Sequence, residues 1–274
     1  TNDQFRFMIS FILAVVIFIF SYSQIESPLN LNSPLKKFIF TFFKLFLSLG
    51  FSTLSVYFMI KIKIIPKKSA TNAYAKPILE FINRYGKVAI LILLLIGLYR
   101  IADIVMGVVA NIFYLEKGYN VKDIATYSKF FGVFATIFGG LIGGYAAIRY
   151  GTIRALFFGA LIAAASNLLF AWLALNEANI KSLIIVITAD NISSGFAGAA
   201  FVVYLSALTS IKFTATQYAL FSSLMILIPK VLAGYSGGLV DYMGYSNFYI
   251  FTAIIGIPVL ILIIWISKLI PMKD

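Results

Sequence analysis

The sequence contains no cysteine and no histidine. These two absences exclude disulfides, thiolate nucleophiles, imidazole acid–base catalysis and the common zinc-ligand sets together. Acids are scarce as well: ten Asp and Glu stand against 22 Lys and Arg, a formal charge of +12. What remains is apolar. Of 274 residues 61% are hydrophobic and 12% charged, too little polar surface to coat a soluble globule. The composition predicts an all-α polytopic transmembrane helix bundle. So basic a chain can mark a nucleic-acid binder, but here the basic residues fall in short loops between apolar runs, as positive-inside loops do. The expected surroundings are a lipid bilayer, with no nucleic acid, cofactor, metal or enzymatic chemistry.

Taken in order, the apolar runs predict eight spans. Two lie at residues 5–20 and 38–60, separated by a loop at 23–37 that carries Pro28 and Pro34. No small-residue cleavage site follows the first run, so it reads as a span and not a signal peptide. Lys44 lies inside the second, within snorkelling distance of its start. Residues 61–87 then form a basic linker with Lys61, Lys63, Lys67, Lys68, Lys76, Arg84 and Lys87 against Glu80. Within it, PILEFINRY (77–85) predicts a short helix on the membrane surface. Six more spans follow at 88–110, 124–147, 155–175, 182–206, 218–239 and 248–270, so residues 88–274 form a six-helix block. Assigning sides alternately places thirteen basic residues on one face and five on the other. This bias puts both termini in the cytoplasm.

The six-span block contains an internal repeat. Its second span ends Gly140-Leu-Ile-Gly143-Gly144, followed by Arg149-Tyr-Gly151, and its fifth ends Gly234-Tyr-Ser-Gly237-Gly238, followed by Asp241-Tyr-Met-Gly244. Three spans make one unit; three being odd, the two copies face opposite ways, the 3+3 inverted arrangement of secondary transporters. Each glycine pair also admits a plainer reading, close helix packing.

Charges inside the spans are the sharpest signal. Arg100 and Asp103 interrupt the first span of the block, Lys129 lies on the second, Asp190 on the fourth and Lys230 on the fifth. A charge near the bilayer centre costs about 2.5–3.5 kcal/mol on insertion scales, so such residues usually pair or line a substrate or ion path. Arg100 with Asp103 at i,i+3, or Asp190 with Lys230 across helices, are the candidate structural pairs. Asp190-Asn191 precedes Ser193, Ser194, Gly195 and Gly198, which predicts a weakened, hydroxyl-lined helix suited to ligand contact. Pro229 beside Lys230 predicts a kink. Asn167, on the charge-free third span, reads as a packing hydrogen bond.

LYRIADIVMGVVAN (98–111), ADNISSGFAGAAFVVYLSALT (189–209) and FTATQYALFSSLM (213–225) resemble the AmpG-type permeases of the major facilitator superfamily. The two leading spans resemble the extra pair that such permeases insert between their halves. GYAAIRYGTIR (144–154) is similar to the superfamily's cytoplasmic loop motif through Gly144, Arg149, Gly151 and Arg154, although Ile148 stands where an acid is usual. The resemblance implies import of anhydro-muropeptides, GlcNAc-anhydroMurNAc carrying a short peptide, across the bacterial inner membrane with protons, for peptidoglycan recycling. Arg100 and Lys230 would then counter substrate carboxylates, and Asp103 or Asp190 would carry the coupling proton, with Asn191 beside them. Superfamily transporters rock two six-span halves around a central site, and only one half is present here. The Thr start leads us to expect an N-terminal six-helix half upstream, ahead of a split or decayed gene or a pairing of two copies. An acetyl-CoA-type carrier and a non-transporting membrane subunit or regulator are the alternatives.

Overall fold

The computed structural model describes residues 2–27, 34–65, 68 and 71–270, and within them every regular element is a helix. Seven helical stretches among the described residues are long and apolar enough to cross a membrane, with a shorter apolar stretch at Met8–Gln24. The protein is thus a multi-pass membrane helix bundle. Pro28, Lys67 and Lys273 lie outside the described residues. Two compact units divide the chain, residues 1–84 and 85–274.

In the first unit α1 (Asn2–Gln24) and α2 (Pro34–Lys61) pack as an antiparallel pair. Ser52 Oγ donates to the Ala14 carbonyl at 2.8 Å, and Lys44 Nζ sits 4.4 Å from the centre of the Tyr22 ring. Lys44 therefore meets an aromatic face rather than simply snorkelling, and α2 begins earlier than the apolar run, on a proline whose fixed φ suits a first turn. A π-helical turn, Thr71–Ala75, leads into α3 (Lys76–Tyr85), the helix expected in the linker. It buries Pro77 and Phe81 and exposes Ile78, Leu79 and Ile82.

The second unit holds α4 (Val88–Leu98), α5 (Ile101–Glu116), α6 (Val121–Ile124), a π-helical segment (Ala125–Phe131), α7 (Gly132–Tyr150), α8 (Thr152–Leu175), α9 (Ile180–Leu208), α10 (Thr214–Ala233), α11 (Ser236–Ile254) and α12 (Ile257–Leu269). Where a single first span was expected, the helix breaks at Tyr99-Arg100, with Arg100 at φ −95° and ψ 13°. α9 does not weaken at Ser193–Gly198 as expected; it runs unbroken because α7 packs against it at backbone distance. A Cβ on Gly139, Gly143 or Gly195 would overlap the carbonyl oxygens of Ile192, Phe196 and Thr136 in turn. The glycines serve contact, not flexibility. α10 likewise passes through Pro229, and the interruption comes later, at Gly234-Tyr235.

Two glycines end the repeated motifs in matching conformations. Gly151 has φ 90° and ψ 148°, and Gly244 has φ 75° and ψ 162°, a region that side-chain-bearing residues rarely enter. Gly151 caps the start of α8, whereas Gly244 lines a cavity of about 370 Å³ with Ala174 at the far end of α8. Equivalent turns at opposite ends of one helix are what an inverted repeat produces. Gly244 also divides the apolar stretch Ser236–Leu269, whose 34 residues would be too long for one crossing.

Polar ties reinforce the packing. Asn167, fully buried on α8, donates to the Ala102 carbonyl at 3.3 Å and to Thr252 Oγ1 at 3.2 Å, joining α5, α8 and α11. Ser236 Oγ donates to the Val105 carbonyl at 2.8 Å. At the end where α5 stops, Lys117 Nζ donates to the Ala174 carbonyl at 2.8 Å and Tyr245 donates to Glu116 Oε2 at 2.9 Å.

Gly195→Ala should therefore cost about 1–3 kcal/mol as an overpacked contact, whereas Gly144→Ala, with nothing within 4 Å of the added carbon, should be nearly neutral. Thermal unfolding of the detergent-purified chain compares the two; equal effects would contradict the backbone-contact account.

Candidate functional site

The break at Tyr99-Arg100 is the place to build from. Leu98 ends α4 and Ile101 begins α5; Tyr99 keeps helical angles and its N–H donates to the Leu95 carbonyl, so the departure falls at Arg100, which reaches across the new helix start. Asp103 lies in the first turn of α5, where a carboxylate complements the helix dipole. Arg100 Nε donates to Asp103 Oδ2 at 2.8 Å, and Arg100 Nη2 donates to the same oxygen. Nη2 also donates to Ser194 Oγ on α9 at 3.1 Å, and the Ser194 hydroxyl lies 3.4 Å from Asp103 Oδ2. Arg100 and Asp103 are 23% and 16% exposed, so the pair sits inside the bundle without being sealed.

Tyr99 fixes the other side of the break. Its hydroxyl donates to the Leu156 carbonyl at 3.0 Å, and its ring stacks on Phe201 at 4.3 Å and 13°. Gly159 makes this possible, since a Cβ there would come within 2.7 Å of Tyr99 Oη and 2.9 Å of Ala197 Cα. Gly198 clears the guanidinium in the same way: its Cβ would lie 3.3 Å from Arg100 Nη1. No hydrogen bond occupies Nη1 among the described residues, so this edge of Arg100 remains open to an acceptor.

Asp190 lies on α9 one turn before Ser194, partly exposed, and interacts electrostatically with Arg100 and Asp103. Its carboxylate takes part in no salt bridge among the described residues. Asn191 turns the other way. It accepts from Thr136 Oγ1 at 2.9 Å, donates to the Ile187 carbonyl at 2.8 Å, and packs against Gly132. Its amide joins α9 to α7. Of the two candidate pairs, Arg100–Asp103 forms and Asp190–Lys230 does not.

No family model matches the sequence. Over 207 residues, 76% of this chain and 50% of the relative, it is 33% identical to a protein of Rickettsia conorii named "Putative transporter AmpG 4". It is 36% identical over 196 residues to "Putative transporter AmpG 1" of Rickettsia bellii, covering 72% of this chain and 48% of the relative. A Rickettsia prowazekii protein of the latter name is 40% identical over 182 residues, covering 65% and 40%. The chain is similar to proteins named as AmpG-type transporters. This chain spans about half the length of the curated relatives it matches.

The remaining residues singled out in the sequence form no ion pair with the cluster among the described residues. Lys230 is exposed on α10, and Lys129 is exposed within the π-helical segment; neither enters an ion pair among the described residues. π-Helical turns concentrate at functional positions, and nothing in the apolar pattern of 124–147 signalled this one. In the loop motif, Arg149 and Arg154 are exposed, Ile148 is 84% exposed, Gly144 has open space beside it, and Gly151 supplies the positive-φ turn. Ser194, Tyr99 and Gly198 complete the Arg100 surroundings. The i−4 spacing of Asp190 and Ser194 was the sequence signal for the first, while Tyr99 and Gly198 needed the helix break to be seen.

Asn191→Ala should lower stability by about 0.6–1.7 kcal/mol, the range for a hydrogen bond between membrane helices. Asp103→Asn, which strands Arg100, should cost about 3–5 kcal/mol. Unfolding midpoints of the two variants in one detergent test the ranking; a costlier Asn191 change would reverse the assignment of clamp and ion pair.

Proposed function

We propose that this chain acts as the C-terminal half of a secondary transporter that imports anhydro-muropeptides across the bacterial inner membrane with protons, for peptidoglycan recycling. The observation that carries the reading is the Arg100–Asp103–Ser194 cluster at a broken helix, with Asp190 beside it, inside an AmpG-type membrane bundle. Broken helices at mid-membrane are where secondary transporters hold substrates and coupling ions.

In this scheme the open Nη1 edge of Arg100 takes a carboxylate of the muropeptide, with Gly198 leaving room for it. Asp103 keeps the guanidinium oriented, and the coupling proton is carried by Asp103 or Asp190. Lys230, exposed on its own helix, would meet substrate only from the direction of a second half. An N-terminal six-helix half supplies the opposing wall, so that rocking of the two halves alternates access. The loop from Gly144 to Arg154 lies on the cytoplasmic side together with both ends of this chain.

A permease-deficient bacterium expressing this chain alone, and then this chain joined to a six-span N-terminal half, tests the proposal by uptake of labelled anhydro-muropeptide. Uptake is expected only in the joined form, with membrane insertion checked in both. Absence in both, with normal insertion, would overturn the substrate assignment. In the joined form Arg100→Ala should weaken substrate affinity at least about tenfold, equivalent to about 1.4 kcal/mol; unchanged affinity would remove Arg100 from the substrate contact.

A further inference from the structure

We infer that α3 and the basic segment around it bind the surface of a bilayer that carries anionic phospholipid headgroups. The helix has three faces. At about 100° per residue, Pro77 and Phe81 share one side and are buried, while Lys76, Glu80, Asn83 and Arg84 share another. Ile78, Leu79 and Ile82 fall between these sides and are 45%, 54% and 43% exposed. They form an apolar stripe that the described part of the chain leaves uncovered. A helix with one apolar and one charged face is the form that lies in a membrane interface.

The chain holds this helix at the bilayer. Lys61 ends α2 and Val88 begins α4, and both belong to stretches long and apolar enough to cross a membrane. Only Gly86 and Lys87 separate Tyr85, the last residue of α3, from Val88. The Cα atoms of Tyr85 and Val88 are therefore at most about 11 Å apart. Gly86, at φ 54°, makes the turn, and the Ala89 N–H donates to its carbonyl at 3.2 Å. A helix end tied so near the start of a span stays at headgroup depth, and the stripe is within reach of acyl chains. Leaving that stripe in water beside lipid would forfeit the burial of three large apolar side chains.

Charge selects the kind of lipid. Glu80 is the one acid between residues 61 and 87, and Arg84 pairs with it at 3.2 Å. Lys61, Lys63, Lys68, Lys76 and Lys87 are exposed and enter no ion pair among the described residues. Lysines beside a span or on an interfacial helix are drawn to a negative leaflet, each favouring the docked state about fivefold. A free phosphate would meet the ammonium groups but not the stripe. An anionic phospholipid offers partners to both.

The inference needs the membrane and not the transport reading, so it is tested without muropeptide or a second half. Because the chain has no cysteine, Leu79→Cys and Asn83→Cys each give a single site for a nitroxide label. The full chain is placed in nanodiscs of phosphatidylcholine, or of phosphatidylcholine mixed with phosphatidylglycerol. Collisions of the label with oxygen, which concentrates in acyl chains, are compared with those of a neutral, water-soluble nickel chelate. In the anionic disc the Leu79 label is expected to meet oxygen and the Asn83 label nickel. In the neutral disc, and in the anionic disc at molar salt, which screens the headgroups, the Leu79 label should meet nickel several-fold more often. Lys63→Gln combined with Lys76→Gln should shrink the difference between discs. All four substituted residues are exposed, and the salt comparison does not depend on the lysine variant. A Leu79 label that meets nickel in both discs would overturn the assignment. So would one immersed equally in both, or one shielded from both reagents, as a protein partner or a second copy would shield it.

Discussion

A guanidinium and a carboxylate removed from water inside a membrane helix must satisfy each other, and Arg100 and Asp103 do so across a single turn. The pairing demands a particular backbone. An unbroken helix would hold the two side chains along its flank, whereas the interruption at Tyr99-Arg100 lets the guanidinium lie across the start of α5, over its carboxylate and against Ser194. Tyr99, the last residue with helical angles before the break, has its hydroxyl satisfied by the Leu156 carbonyl. Gly159 is then needed, since a Cβ there would strike Tyr99 and the Ala197 backbone, and Gly198 leaves room beside Arg100. One ion pair thus dictates the residues on two neighbouring helices.

The rest of this bundle is joined without another ion pair among its described residues. α7 and α9 approach until glycine meets carbonyl oxygen, which in lipid is a favoured source of helix association because apolar side chains gain little by leaving lipid for protein. Asn191 and Thr136 add one hydrogen bond to that seam. At the end of α5 an aromatic group closes the packing, with the Tyr249 ring 5.2 Å from Phe113 and 5.1 Å from Phe170, and Tyr245 bonded to Glu116.

Much of this architecture was legible in the apolar runs, because a span must be about 20 residues of mostly apolar side chains wherever it lies. The repeat was legible too in its glycine pairs, whose spacing matches; the last glycines, Gly151 and Gly244, differ by one residue in spacing and share a backbone conformation. Errors arose where one signal has two physical causes. Ser193, Ser194, Gly195 and Gly198 look alike whether a helix is to loosen or to be approached closely, and only the position of α7 decides. Asn191 beside Asp190 read as part of one site; successive helical residues point about 100° apart, and the Asn191 amide bonds Thr136 and the Ile187 carbonyl. Lys230 was as conspicuous as Arg100 in sequence; its distance from the cluster depends on how α10 is rotated, which no local pattern reports.

The buried amide of Asn167 has a mechanical consequence. By bonding the Ala102 carbonyl and the Thr252 hydroxyl it fastens α5 to α8 and α11, and Ser236 adds a second fastening to α5. α4, with the sequence VAILILLLIGL, carries no polar side chain with which to make such a tie. The two pieces of the first span are therefore held by different means. α5 is thus tied by hydrogen bonds in a medium that offers no water to replace them, whereas α4 is held by apolar packing up to Tyr99, which bonds the Leu156 carbonyl. The charges sit where the two kinds of fastening meet.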